Sequence, residues 1–192
     1  MKRLATAILA LALLPAASAQ AQVEAIEPTF QLDRKGDVRG PLDIVRVAMS
    51  KRTDGSLRGE LTMRKAWEDA DVSSGSLCLR FYVKTDPESQ APEWLVCATA
   101  AREGGGLAGR VLRNSANGLP RTVGGAFVTR PSRRTIHFGF DPSLIRNPQK
   151  LRFAGESVWR GTRCPKAAGC RDLAPDAPDA REFRLRRESA SG

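Results

Sequence analysis

The segment SLCLRFYVKTDPESQAPEWLVCATAA, residues 76–101, decides the fold class, because it specifies a hairpin together with its register and cross-link. Apolar and polar residues alternate along both halves, which is typical of half-buried β-strands. If Cys78 lies opposite Cys97, the apolar residues of the two strands share one face, with Phe81 opposite Trp94. A slip of one residue would turn one apolar set away from the other. The segment therefore predicts an antiparallel hairpin closed by a disulfide.

Short alternating segments bounded by turn residues continue through the rest of the chain, and none has a sustained helical period. One pair of segments flanks Thr53-Asp54-Gly55. A three-residue loop with a left-handed Gly55 pairs residue 45 with 63, 47 with 61 and 49 with 59, whereas a two-residue loop would separate the apolar faces. With about eight or nine such strands, the sequence predicts an all-β fold: a single antiparallel β-sandwich, jelly-roll or immunoglobulin-like.

The first 19 residues have the features of a secretory signal peptide: basic Lys2 and Arg3, an apolar run over residues 4–14, and Ala17-Ser18-Ala19 at the end. No second apolar run follows, so we expect no transmembrane segment and a product that is secreted or located at the exterior of the cell envelope. Removing residues 1–19 takes away two of the 31 basic residues and none of the 21 acidic ones, so the net charge of +10 becomes 29 − 21, or +8. We then expect an irregular leader over residues 20–31, the sandwich over 32–187 and a disordered tail over 188–192.

Four cysteines in an exported chain most simply form two disulfides. The hairpin register selects Cys78 with Cys97, which leaves Cys164 with Cys170. A zinc site is disfavoured, because five residues separate the last two cysteines and His137 is the only histidine.

Two features resemble exported bacterial β-sandwiches of the DOMON-like or family-nine carbohydrate-binding-module-like type. They are Asp33-x-x-x-Asp37 followed by residues 41–44 (PLDI), and the later FDPSL of residues 140–144. The resemblance spans roughly residues 33–160. It implies a sandwich fold and a structural calcium near the first strand, held by Asp33, Asp37 and Asp43. Carboxylates are ligands that Ca²⁺ prefers, and nearby glycines let a loop curl around the ion. The alternative is an Asp-Gly turn leading into a strand.

Other polar clusters favour structural interpretations. Asp172, Asp176 and Asp179 lie in the proline-rich DLAPDAPDA, which predicts a solvated linker. His137 falls on the polar phase of its strand, so we expect it at the exposed surface.

The chain has no nucleophile-elbow, zinc-protease or phosphate-loop motif, so we expect no enzyme. A hydrolase using two carboxylates stays an alternative, with candidates Glu60, Glu68, Asp69, Asp71, Glu93 and Glu156.

The basic excess is rich in arginine, whose guanidinium groups bind phosphate and carboxylate through paired hydrogen bonds. Export argues against nucleic acid as a partner. We therefore expect a secreted, non-catalytic binding or accessory module for carbohydrate or an anionic envelope polymer. The first alternative is a module that binds another exported protein, either through its edge strands or through the Cys164–Cys170 loop.

Overall fold

The computed structural model describes residues 28–33, 38, 40–84, 91–101, 105–115, 118–161, 164, 169–176 and 179–185. These residues form eleven β-strands and two short 3-10 helices, Asp69–Val72 and Pro142–Ile145. The strands are β1 (Thr29–Leu32), β2 (Ile44–Lys51), β3 (Leu57–Met63), β4 (Ser76–Tyr82), β5 (Trp94–Ala100), β6 (Leu107–Ser115), β7 (Gly118–Thr129), β8 (Thr135–Phe140), β9 (Lys150–Trp159), β10 (Cys170–Ala174) and β11 (Arg181–Arg184). The predicted all-β class is confirmed, and the strand count is higher than the eight or nine predicted.

All strands belong to one antiparallel sheet in the order β1-β2-β3-β8-β7-β6-β5-β4-β9-β10, with β11 also paired to β9. The sheet folds over at β7, whose residues 118–126 pair with β6 and whose residues 127–129 pair with β8. We call β1, β2, β3, β8 and the end of β7 the first layer, and the remaining strands the second layer. Each layer has an inner face toward the core and an outer face.

The central hairpin has the register predicted from its cysteines. Cys78 pairs with Cys97, and Phe81 pairs with Trp94. Both predicted disulfides are present, with Cα–Cα distances of 4.0 Å for Cys78–Cys97 and 5.5 Å for Cys164–Cys170. The predicted register is confirmed because a single covalent pair and one apolar face are enough to align two adjacent strands.

The β2–β3 hairpin agrees with the prediction at its tip and differs from it at its base. Gly55 has φ 85°, and residues 47 and 49 pair with 61 and 59 as expected. The predicted pairing of residue 45 with Met63 is wrong, because an irregularity between residues 44 and 46 brings Ile44 opposite Met63. Such bulges insert one extra residue into a strand and shift the pairing beyond it.

Side chains from the inner faces of the two layers form one core. The rings of Phe81 in the second layer and Phe140 in the first lie 5.6 Å apart, centroid to centroid. Two glycines permit close approach of the layers: a Cβ at Gly59 would collide with Leu79, and one at Gly155 would press on Leu61.

The first strand begins before the predicted end of the irregular leader. The sheet begins at Thr29, so residues 29–31 belong to β1, and the prediction that the irregular leader reaches residue 31 is wrong there. The alternation of β1 covers only four residues, which is too short to be distinguished from an irregular segment by pattern alone. The predicted signal peptide 1–19, the leader up to residue 27 and the tail 188–192 lie outside the described residues.

Candidate ligand-binding face

The three aspartates predicted to hold calcium have different surroundings. Asp33 follows β1, and its N–H donates to the carbonyl of Val45 at 3.0 Å. Asp43 precedes β2 and is 3% exposed, and its Oδ2 accepts a hydrogen bond from Arg64 Nε at 2.6 Å. Asp37 lies outside the described residues.

Asp43 Oδ1 is buried without a hydrogen-bond partner, which leaves one oxygen suited to a cation. Calcium takes about six to eight oxygen ligands, so one such oxygen does not make a site. The described part of the chain contains no group of three acidic, histidine or cysteine side chains placed to hold a metal. The calcium site therefore stays a prediction.

The second acidic cluster does not form a uniform solvated linker. Asp172 lies in β10 with 2% exposure, and its Oδ2 accepts a hydrogen bond of 2.6 Å from the Ile44 N–H at the start of β2. The prediction that Asp172 is exposed is wrong, because β10 continues the second layer and covers this residue with β2. Asp179 is exposed, as predicted.

The outer face of the first layer carries three cross-strand rows of side chains. The middle row is Phe30, Ala48, Glu60, His137 and Thr129. On one side of it lie Ser50, Arg58, Gly139 and Phe127, and on the other lie Leu32, Arg46, Thr62 and Thr135. Strand alternation places these residues outward because their neighbours along each strand, such as Val47 and Leu61, are fully buried.

A polar cluster occupies the centre of this face. The Glu60 carboxylate forms an ion pair with Arg46 through Oε1, and Oε2 lies 3.1 Å from His137 Nε2. Arg58 Nη2 lies 2.6 Å from His137 Nδ1 and 2.9 Å from Nε2. A neutral imidazole with its proton on Nε2 satisfies the shorter Arg58 contact and the Glu60 contact, since Nδ1 then accepts from Arg58 and Nε2 donates to Glu60.

The environment of His137 favours this neutral form. Burial of the ring and the positive charge of Arg58 lower the pKa of His137, while Glu60 acts in the opposite direction. The side chain is 14% exposed, so the prediction that His137 lies at the exposed surface is wrong even though it faces outward. Arg58 and Glu60 on the neighbouring strand cover it.

Two aromatic side chains flank the cluster. Phe30 is 50% exposed, and the Arg46 guanidinium lies 5.1 Å from its ring centroid. Phe127, at the opposite end of the face, is 73% exposed. The two residues lie four strands apart, about 19 Å at the usual strand spacing.

A groove of about 410 Å³ runs beside Phe30 over β2 and β3. Its lining includes Pro28, Arg46, Ala48, Ser50, Lys51 and Arg58. Its described lining residues include three cations, Arg46, Lys51 and Arg58, and one carboxylate, Glu60. The groove is therefore net positive.

The outer face of the second layer carries a cluster of charged side chains around Tyr82. Arg80 is 7% exposed and lies 3.4 Å from Glu156, and Arg80 and Arg152 both lie over the ring of Tyr82. Burial raises the pKa of Tyr82, so its hydroxyl stays protonated at neutral pH. This arrangement holds neighbouring strands together.

Sequence reasoning did not single out Arg46 and Arg58, and it considered Glu60 only as a catalytic carboxylate. Strand alternation indicates that all three point outward. Their contact with His137 depends on the pairing of β3 with β8, for which the sequence carries no local signal.

A search with family models, a search of curated proteins and a search of solved structures each find no match to this chain. Among the described residues, no helix is long and apolar enough to cross a membrane.

Proposed function

We propose that this chain is an exported, non-catalytic β-sandwich that binds an acidic polysaccharide or another anionic polymer of the cell envelope. The binding surface is the outer face of the first layer, centred on the groove beside Arg58. The observation that carries the proposal is the hydrogen bonding of Arg58, which contacts His137 through Nη2 alone.

The remaining donors of Arg58, on Nε and Nη1, make no hydrogen bond within the described part of the chain. Nη2 also carries a second hydrogen, so Nη2 together with Nε or Nη1 forms a guanidinium edge that binds a carboxylate or a phosphate through two parallel hydrogen bonds. Lys51 adds a second positive charge to the groove. Phe30 offers an exposed ring against which the apolar face of a sugar packs, and Phe127 extends the same surface.

The carboxylates considered for hydrolysis support a non-catalytic role, because most already serve a structural contact. Asp69 forms an ion pair with Arg130, and Glu93 accepts a hydrogen bond from the Val83 N–H. Glu156 is shared between Arg80 and Arg171.

Export is supported by the predicted signal peptide and by the disulfides. Disulfides form and persist in oxidising compartments outside the cytosol. The basic excess of the chain suits an anionic partner there, since clustered positive charge speeds the association of polyanions.

The test is calorimetric titration of the protein with polygalacturonate, poly(glycerol phosphate) and neutral dextran. We expect saturable binding of at least one polyanion that weakens with salt, and no binding of dextran. The two polyanions distinguish a carboxylate-bearing from a phosphate-bearing ligand. Arg58→Gln should weaken binding by roughly 10-fold or more, as for the loss of a charge-assisted hydrogen bond.

Two further variants sharpen this experiment. Arg58→Lys keeps the charge and loses the paired hydrogen bonds, so its affinity should fall between those of the native chain and Arg58→Gln. Arg133→Gln removes one charge from a side chain that is 78% exposed and does not line the groove, so it should bind like the native chain. Equal losses in Arg58→Gln and Arg133→Gln would show that only net charge matters and would contradict the proposed site.

A further inference from the structure

β1 is a terminal strand of the sheet with an unpaired edge. It pairs with β2, and no other described strand pairs with it. The hydrogen bond from the Asp33 N–H to the Val45 carbonyl shows which residues of β1 direct their backbone N–H and C=O groups toward β2. Residues 29, 31 and 33 therefore face β2, and the backbone N–H and C=O groups of Phe30 and Leu32 point to the open edge.

The four residues of this edge strand include no proline, charged side chain or bulge that would hinder strand addition, although the strand is short and Pro28 precedes it. Natural edge strands are commonly protected by proline, charged side chains or a bulge. The sequence of β1, TFQL, contains none of these, whereas β11 carries Arg181 and Arg184, and Pro175 follows β10. Phe30 and Leu32 are also about half exposed, at 50% and 49%.

The open edge borders a groove of about 660 Å³. Residues 28–33 form one wall along the full length of β1, and the segment around Pro175, Asp176, Asp179 and Arg181 forms the other. The volume is within the range of about 300–1,000 Å³ that is typical of ligand-binding clefts. A groove that follows a strand edge suits an extended chain.

The charges of this groove contrast with those of the whole protein. Among its described lining residues are three carboxylates, Asp33, Asp176 and Asp179, and one cation, Arg181, although the chain carries a net charge of +10. A basic segment would gain electrostatic energy here, while an acidic segment would be repelled.

We propose that the β1 edge binds an extended basic peptide segment of a partner protein as an added β-strand. The peptide backbone pairs with Phe30 and Leu32, and its lysine or arginine side chains face the aspartates of the opposite wall. Strand addition of this type obtains affinity from main-chain hydrogen bonds and specificity from alternate side chains. The site adjoins the anionic-polymer groove, since Pro28 lines both, but it uses the backbone edge of β1 and not the Arg58 guanidinium, so either proposal stands without the other.

The probe is a nine-residue peptide of alternating valine and lysine, blocked at both ends, titrated into the full chain. We expect saturable binding that weakens with salt and shifts the backbone amide signals of residues 28–33 and of Asp176 and Asp179. The same peptide with glutamate for lysine should bind at least about 10-fold more weakly.

Two N-methylated peptides test the backbone pairing. One carries methyl groups on its odd-numbered amides and the other on its even-numbered amides. Because only alternate amides of an added strand donate to the edge, one of the two should lose about 10-fold or more and the other should keep most of its affinity. Equal affinities for the two, or for the lysine and glutamate peptides, would overturn the proposal.

Matched variants locate the site. The double variant Asp176→Asn/Asp179→Asn should weaken the lysine peptide about 5-fold or more, at unchanged melting temperature. Asp141→Asn removes an exposed charge elsewhere while keeping a side chain that caps its 3-10 helix, so it should bind like the native chain. Equal effects of the two changes would overturn the proposal.

Two other occupants give distinct results, and each would overturn the assignment to a partner peptide. A dimer in sedimentation experiments that the lysine peptide dissociates would identify a second copy of this chain. Peptide binding seen only after truncation beyond Leu185 would identify the chain's own residues 186–192, which begin with two arginines.

Discussion

Gly155 is the position where the packing of the two layers is most directly testable. It lies on the inner face of β9 and pairs with Leu79 of β4. A Cβ at this position would lie 2.8 Å from side-chain carbons of both Leu61 and Val47, and 3.3 Å from the Ile44 Cδ1. All three side chains belong to the first layer and are fully buried, so none of them can move aside into solvent.

We therefore expect Gly155→Ala to destabilise the protein. Overpacking a filled core costs about 1–3 kcal/mol. For a chain of this size, each kcal/mol lowers the melting temperature by about 2–4 °C, so the expected decrease is roughly 2–12 °C. Gly125→Ala is the matched control, since its Cβ would meet nothing within 4 Å and alanine is favoured over glycine in a strand by about 0.5–1 kcal/mol.

The assay is urea unfolding of both variants, with Leu61→Ala added as a second site. In the Leu61→Ala background the added methyl finds space, so the cost of Gly155→Ala should fall by about 1 kcal/mol or more. If Gly155→Ala and Gly125→Ala unfold at the same urea concentration, or if the two changes at 155 and 61 are additive, the described packing of β9 against β2 and β3 is wrong.

Three other predictions concern charged groups. The pKa of His137 is lowered in the fold, so its contribution to stability is complete above the unfolded-state pKa of about 6.5 and is lost as the pH falls below that value. Urea unfolding over this pH range should therefore show a smaller loss of stability in His137→Gln than in the native chain. Equal dependence of stability on pH in the two proteins would contradict the prediction. Asp172→Ala removes the acceptor of the Ile44 N–H and should lower the free energy of unfolding by about 1–3 kcal/mol, whereas Asp179→Ala should change it by no more than about 0.5 kcal/mol. Chemical denaturation of both variants checks this prediction, and equal effects would refute it. If the predicted calcium site exists, calcium at a hundredfold excess over its dissociation constant should stabilise the native chain by about 2.7 kcal/mol and should not change the stability of Asp37→Ala. Thermal melts with calcium and with a chelator measure both effects.

The candidate groove illustrates how far sequence reasoning reaches toward a site. Alternation along β2 and β3 indicates that Arg46, Arg58 and Glu60 face outward, and the hairpin pairing of these strands is readable from Gly55. The contact of Glu60 with His137 joins residues 77 positions apart. Nothing in the local pattern of β8 selects β3 as its neighbour, because any strand with the same alternation presents a similar apolar face.

By itself, the sequence determined the fold class, the register of the hairpin between residues 76 and 101, and the two disulfide pairings. Strands that are adjacent in the chain have few ways to pair, and one apolar face with one cysteine pair leaves a single register. Only the tertiary structure decided which distant strands are neighbours and where the two ends of the sheet lie. The Asp172–Ile44 hydrogen bond, which joins residues 128 positions apart, is an example. Long-range pairings of this kind depend on the packing energy of the complete core, which no single segment of the chain encodes.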